Sequence, residues 1–110
     1  MKYSLNERAV NRLREIGDYL DDGGFSRYAD ALDKQFERAS KHLCRFPYLG
    51  SVYYNRLLPP PPRQFRRLIV AGHSIIYVVV QERDTVLIVD YWHNARDPGR
   101  LLEALDALSV

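Results

Sequence analysis

Between Phe65 and Trp92 the chain places three apolar segments in close succession: Phe65 to Ala71, Ser74 to Glu82 and Thr85 to Trp92. Turn signals separate them at Gly72-His73 and Arg83-Asp84. Segments this short, β-rich and closely spaced read as consecutive strands joined by hairpins. The second and third carry Ile, Val and Tyr at both alternating positions, whereas an antiparallel strand with one wet face alternates apolar with polar residues. Both faces of the sheet must therefore be covered, and the rest of the chain has to provide the layers or leave one to a partner.

The N-terminal half supplies one layer. Met1 to Leu5 reads as a short strand, and Asn6 is a suitable N-cap, because its side-chain oxygen can accept from an unpaired amide of a first helical turn. Ala9, Leu13, Ile16 and Leu20 then recur at helical spacing, with Arg8, Arg12, Arg14 and Asp18 off that line. Gly23-Gly24 stops this helix. A second stripe runs through Ala29, Leu32, Phe36, Ala39 and Leu43, with Ser26 as its expected cap and an end near Phe46, since Pro47 disfavours helical geometry before it. So short a connection makes the pair an antiparallel hairpin.

Residues 47 to 64 contain Pro47, Gly50 and the run Pro59 to Pro62 and read as a loop, the proline run being an extended surface connector. After the strands, Asp97 is a cap, Pro98 suits the first helical position, and Leu101, Leu102, Leu105 and Leu108 form the stripe of a short last helix. That helix is too short to stand alone in water and must dock. The expected fold is thus α+β in a single domain of residues 1–110. It comprises an N-terminal strand, a helical hairpin packed on a mainly antiparallel four-stranded sheet, and a C-terminal helix.

Composition narrows the function classes. Cys44 is the only cysteine, which rules out an intramolecular disulfide and a cysteine zinc cluster and fits a reducing compartment. The longest wholly apolar run, Ile75 to Val80, is far below the roughly 20 residues of a spanning helix, so the default expectation is cytoplasmic. The formal net charge of +2 conceals a segregation: no Asp or Glu lies between Glu37 and Glu82. That acid-free segment holds Arg38, Lys41, Arg45, Arg56, Arg63, Arg66 and Arg67, a directed positive field suited to an acidic or anionic partner. Arginine can grip carboxylate or phosphate through two parallel hydrogen bonds.

Several pieces together carry a family resemblance. They are Leu43 followed by Phe46-Pro47-Tyr48-Leu49-Gly50 at the helix-to-sheet junction, Arg67 on the next strand, Tyr77 on the central strand, and the closing run His93-Asn94-Ala95-Arg96-Asp97-Pro98. In this order and spacing the chain resembles the RelE/ParE toxins of type II toxin-antitoxin systems over nearly its whole length. The resemblance implies a cognate antitoxin, no metal or cofactor, and one of two activities. The ParE-like branch poisons DNA gyrase by binding, and the RelE-like branch cleaves messenger RNA on the ribosome. A third alternative is a non-toxic protein-binding module.

The residues decide between the two activities. A metal-independent endoribonuclease must activate a ribose 2′-hydroxyl, stabilise a charged phosphorane and protonate a leaving oxygen. Arg66 or Arg67 could stabilise that charge, His73 or His93 could move the proton, and Arg96 could clamp phosphate, so Arg67, His93 and Arg96 are the candidate catalytic set. Against this, the strand position where RelE-like nucleases tend to carry arginine is Ser74, and no tyrosine follows Tyr91. The ParE-like reading is therefore the expectation, with Arg56, Arg63, Arg66, Arg67, His93 and Arg96 as the residues that meet target or antitoxin. Arg66 and Arg67, adjacent on one strand, should point to opposite faces, and the one on a covered face should need an anionic partner. Tyr91 and Trp92 read as packing residues and Cys44 as an inert one.

Overall fold

The computed structural model describes residues 1–56 and 63–108. The elements follow as β1 (Lys2–Leu5), α1 (Glu7–Asp22), α2 (Ser26–Arg45), β2 (Ser51–Arg56), β3 (Arg63–Val70), β4 (His73–Val80), β5 (Thr85–His93) and α3 (Pro98–Ala107). The sheet order is β1-β5-β4-β3-β2, with β1 parallel to β5 and every other pairing antiparallel. The polyproline run expected at Pro59 to Pro62 lies outside the described residues. No helix among them is long and apolar enough to cross a membrane.

The sheet has five strands, not four, because Ser51–Arg56 is a strand inside the stretch expected to be loop. The reason lies in Val52-Tyr53-Tyr54, a β-branched and aromatic run that packs on a pleated surface. Pairing with β3 stacks Tyr54 on Phe65 at 6.1 Å, and the Tyr54 hydroxyl donates to Asp106 at 2.6 Å, tying this edge strand to α3. Pro47 and Gly50 bend the chain but do not prevent pairing from Ser51 onward.

Two further expectations shift locally. Ser26 is the first helical residue of α2, whose N-cap is Phe25 without a side-chain hydrogen bond. The tight turn between β3 and β4 is Ala71-Gly72, with φ of 50° and 74°. Positive φ at both central residues is the hairpin geometry that matches strand twist, and glycine meets it without a Cβ penalty. Moving the turn back by one residue makes His73 the first residue of β4 and buries it.

Both faces of the sheet are covered from within the chain. The helical hairpin packs Ala9, Leu32, Phe36 and Leu43 against Ile75, Tyr77, Val86, Ile88 and Tyr91. On the opposite face Leu101 and Leu105 of α3 meet Phe65, Ile76, Val78, Val89 and Trp92. A bulge in β5 makes this division possible. Tyr77 pairs with Ile88 but Ile76 with Asp90, so one extra residue enters the strand. Ile88 and Tyr91, three apart, thereby reach one core, and Val89 and Trp92 the other.

The bulge also delivers Asp90, fully buried, to α1. Arg8 and Arg12 each donate from Nε to one of its carboxylate oxygens at 3.0 Å, and the Tyr91 amide donates at 2.8 Å. A buried carboxylate is tolerated when paired and hydrogen-bonded in this way. α1 begins where the sequence indicates: Asn6 accepts from the Ala9 amide at 2.9 Å. α3 likewise begins with Asp97 accepting from the Gly99 amide at 2.9 Å and Pro98 in its first turn.

Candidate functional site

The helix-to-sheet junction is built around Gly50. Its amide donates to the Tyr77 hydroxyl at 2.9 Å, and its carbonyl accepts from Arg66 at 2.7 Å. A Cβ on this residue would lie 2.7 Å from both the Arg67 carbonyl oxygen and the Tyr77 hydroxyl, which leaves room for glycine alone. Arg66 also lies over the Tyr48 ring at 4.9 Å. Burial pushes the Tyr77 phenol above its ordinary range, against the smaller pull of the Gly50 amide and Arg66. Gly50, Arg66 and the central Tyr77 are thus one hydrogen-bonded assembly, whereas Arg67, the strand arginine of the family resemblance, lies outside it over the Tyr53 ring.

Arg66 pairs with Tyr77 and Arg67 with Ile76, so the two arginines face the helical hairpin and α3 respectively. Contrary to the sequence expectation, neither arginine meets a carboxylate among the described residues. Backbone carbonyl oxygen and an aromatic face occupy Arg66, and the Tyr53 ring lies 5.0 Å from the Arg67 guanidinium. Arg56 and Arg63 are cross-strand partners at the far end of the β2–β3 ladder.

A second assembly lies where β4 and β5 approach the end of the helical hairpin at which α1 and α2 are joined. Here a cleft of about 510 Å³ is bounded on the helical side by Ile16, Tyr19, Leu20, Tyr28 and Leu32. His73, Tyr91, His93 and Arg96 bound it on the sheet side. His73 and His93 are cross-strand partners, their rings edge to face at 4.8 Å, and His73 also meets the edge of Phe36 at 5.4 Å.

Backbone groups set the two imidazoles in opposite tautomers. His73 Nδ1 lies 3.1 Å from the Ala71 carbonyl oxygen, which can only accept, so Nδ1 carries the proton and Nε2 is the acceptor. His93 Nδ1 accepts from the Ala95 amide at 3.1 Å, so its proton sits on Nε2. Burial holds the His73 pKa below the ordinary histidine value, and the neighbouring His93 adds to this while the Ala71 carbonyl opposes it. Burial raises the Tyr91 phenol to about 12, so it stays protonated at neutral pH.

Trp92, buried behind this turn, holds two guanidinium groups at its ring, Arg96 at 4.4 Å and Arg12 at 5.3 Å. Its indole nitrogen has no hydrogen-bond partner among the described residues. Arg12 is committed to Asp90 and to Glu15, 2.9 Å away, whereas Arg96 is exposed and meets no carboxylate among the described residues.

The structure therefore brings His93 and Arg96 together with His73, and places Arg67 elsewhere. Along β4, His73 and Ile76 point to opposite faces, so Arg67, paired with Ile76, lies across the sheet from His93, paired with His73. Ser74, where RelE-like nucleases tend to carry arginine, donates its hydroxyl to the Asn94 side chain. Sequence reasoning missed Asp90 and the aromatic wall of Tyr19 and Tyr28. The only signal for Asp90 was an acidic residue inside an apolar strand, and that for the tyrosines was their position beside the apolar stripes.

Comparison with curated proteins finds no match. The family model described as "ParE toxin of type II toxin-antitoxin system, parDE" matches residues 3–98, from β1 through the closing Arg96-Asp97-Pro98 run. The matched span contains the Gly50 joint, the His73–His93 pair and Arg96, and on this match the chain belongs to the ParE toxin family of type II toxin-antitoxin systems.

Proposed function

We propose that this toxin arrests bacterial growth by binding DNA gyrase in the cytoplasm and is neutralised by a cognate antitoxin. The observation that carries the binding mode is the separation of Arg67 from His93 by the thickness of the sheet. In-line attack on a phosphodiester needs charge stabiliser and proton-transfer groups around one phosphate. Exposed His93 and Arg96, together with the exposed Tyr19 and Tyr28 rings of the same cleft, suit recognition of a macromolecule without chemistry. Induced expression without antitoxin is expected to stop growth while leaving messenger RNA intact, and co-expressed antitoxin is expected to restore growth. Normal growth at verified soluble expression would favour a non-toxic module.

One observation favours the second reading, a ribosome-dependent endoribonuclease. His73 Nε2 is an acceptor and His93 Nε2 a donor, an acid and base pair beside the Arg96 cation. On that reading His93→Ala and Arg96→Ala each abolish cleavage of ribosome-bound messenger RNA, read by primer extension, with the fold unchanged. Arg67→Ala separates this smaller site from one that includes the strand arginine.

A further inference from the structure

The outer face of α2 carries a row of cations that the fold does not use. Arg27, Lys34, Arg38, Lys41 and Arg45 are all exposed. At about 100° per residue they fall within about 60° of arc, opposite the buried Ala29, Leu32, Phe36 and Leu43. The row runs about 27 Å along the helix at roughly 1.5 Å per residue. Arg45, in the last turn, complements the helix dipole, but Arg27 stands in the first turn, where the dipole disfavours a cation. Lys34, Arg38, Lys41 and Arg45 are also successive like-charge neighbours three or four residues apart, a spacing that weakens a helix.

Carboxylates leave most of this charge unanswered. Glu37 pairs with Lys41 at 2.9 Å, whereas Arg27, Lys34, Arg38 and Arg45 meet no carboxylate among the described residues. Asp33 and Glu37 lie to one side, where with Arg14 they border a second cleft toward α1. The neighbours of the row on its other side are Ala31, Gln35 and His42. Between Tyr28 in the first turn and Phe46 beyond the last, a polypeptide partner would therefore find no large apolar side chain to bury. Nor do aromatic rings alternate with the cations, as in surfaces that stack the bases of a single strand. A rigid, continuous line of negative charge matches the row, and each strand of duplex DNA carries one phosphate per roughly 3.4 Å.

From this geometry we infer that the outer face of α2 binds the phosphate backbone of duplex DNA without reading its sequence. None of the five cations borders the His73–His93 cleft, so the two surfaces are separate. The inference goes beyond the growth-arrest reading and does not depend on it. Where gyrase is the target, this face would hold the toxin against the DNA that gyrase carries.

The test is fluorescence anisotropy of a labelled duplex of about 20 base pairs, titrated with full-length toxin freed of antitoxin at salt from about 50 to 200 mM. Four unpaired cations predict that log affinity falls with log salt at a slope of about −3 to −4. Arg38→Glu combined with Arg45→Glu should weaken binding about tenfold or more at the lowest salt. Arg38→Gln combined with Arg45→Gln, which adds no acid to the helix, should flatten the slope by about 2. Melting curves check that both fold. Arg83→Glu combined with Arg100→Glu makes the same change in net charge at exposed positions outside α2, and should stay within about threefold. No binding by wild-type toxin at the lowest salt, or an equal loss in this control, overturns the proposal. Tighter binding of a single strand of the same sequence, or of polyglutamate, would assign the row to another partner and overturn it as well. Gyrase inhibition by wild-type toxin is read separately, so failure here leaves the proposed target standing.

Discussion

At Gly50 a hydrogen atom in place of a methyl group decides whether the helix-to-sheet joint can close. Gly50→Ala brings a Cβ to 2.7 Å from backbone and from a buried hydroxyl, so it should lower stability by about 2 kcal/mol, read from denaturant midpoints. Tyr77→Phe only removes the acceptor for the Gly50 amide and should cost roughly 1–2 kcal/mol. A loss no larger in Gly50→Ala than in Tyr77→Phe would show that the joint relaxes. His73 titrates with a defined sign. Its folded pKa lies below its unfolded value of 6.5, so the folded chain binds fewer protons there, and this contribution to stability is complete above that value. It is lost as pH falls through the folded pKa. Melting temperature should therefore drop further in wild type than in His73→Gln between about pH 7 and pH 5, and parallel curves would contradict the assignment. His73 was misjudged from sequence because Gly72 marks a turn without saying which neighbour completes it. The backbone chose Ala71, and the histidine entered the strand.

Elements were legible where periodicity or capping is strong. The stripes of α1 and α2, the Asn6 and Asp97 caps and the apolar runs of β4 and β5 all rest on local chemistry, and all stand in the structure. β2 was hidden because Pro47 and Gly50 just ahead of it signal a break, while its stability comes from Phe65 and Asp106, distant in sequence. The bulge in β5 was equally unreadable, since its evident product is a long-range ion pair between Asp90 and α1. Asp90→Ala leaves Arg8 and Arg12 without that carboxylate and frees the Tyr91 amide, and should cost about 3 kcal/mol in thermal or denaturant unfolding. A loss below about 1 kcal/mol would mean that solvent replaces the pair without penalty.

For the whole molecule, a sheet apolar on both sides carries two covering layers, the helical hairpin on one face and α3 on the other, as its strand composition requires. The family was legible from the order of motifs, and much of that order now has a structural cause. Gly50 and Tyr77 of that order build the joint with Arg66, the neighbour of the expected Arg67, and the closing run turns β5 into α3 while presenting Arg96. The site was less legible, because a cleft between a hairpin and strand ends belongs to no single segment. Binding rather than catalysis is the central claim. Purified toxin, freed of antitoxin, should inhibit gyrase supercoiling in proportion to its concentration and trap double-strand breaks, with antitoxin relieving both effects. A folded, growth-arresting preparation that leaves supercoiling untouched and cleaves ribosome-bound messenger RNA would contradict it.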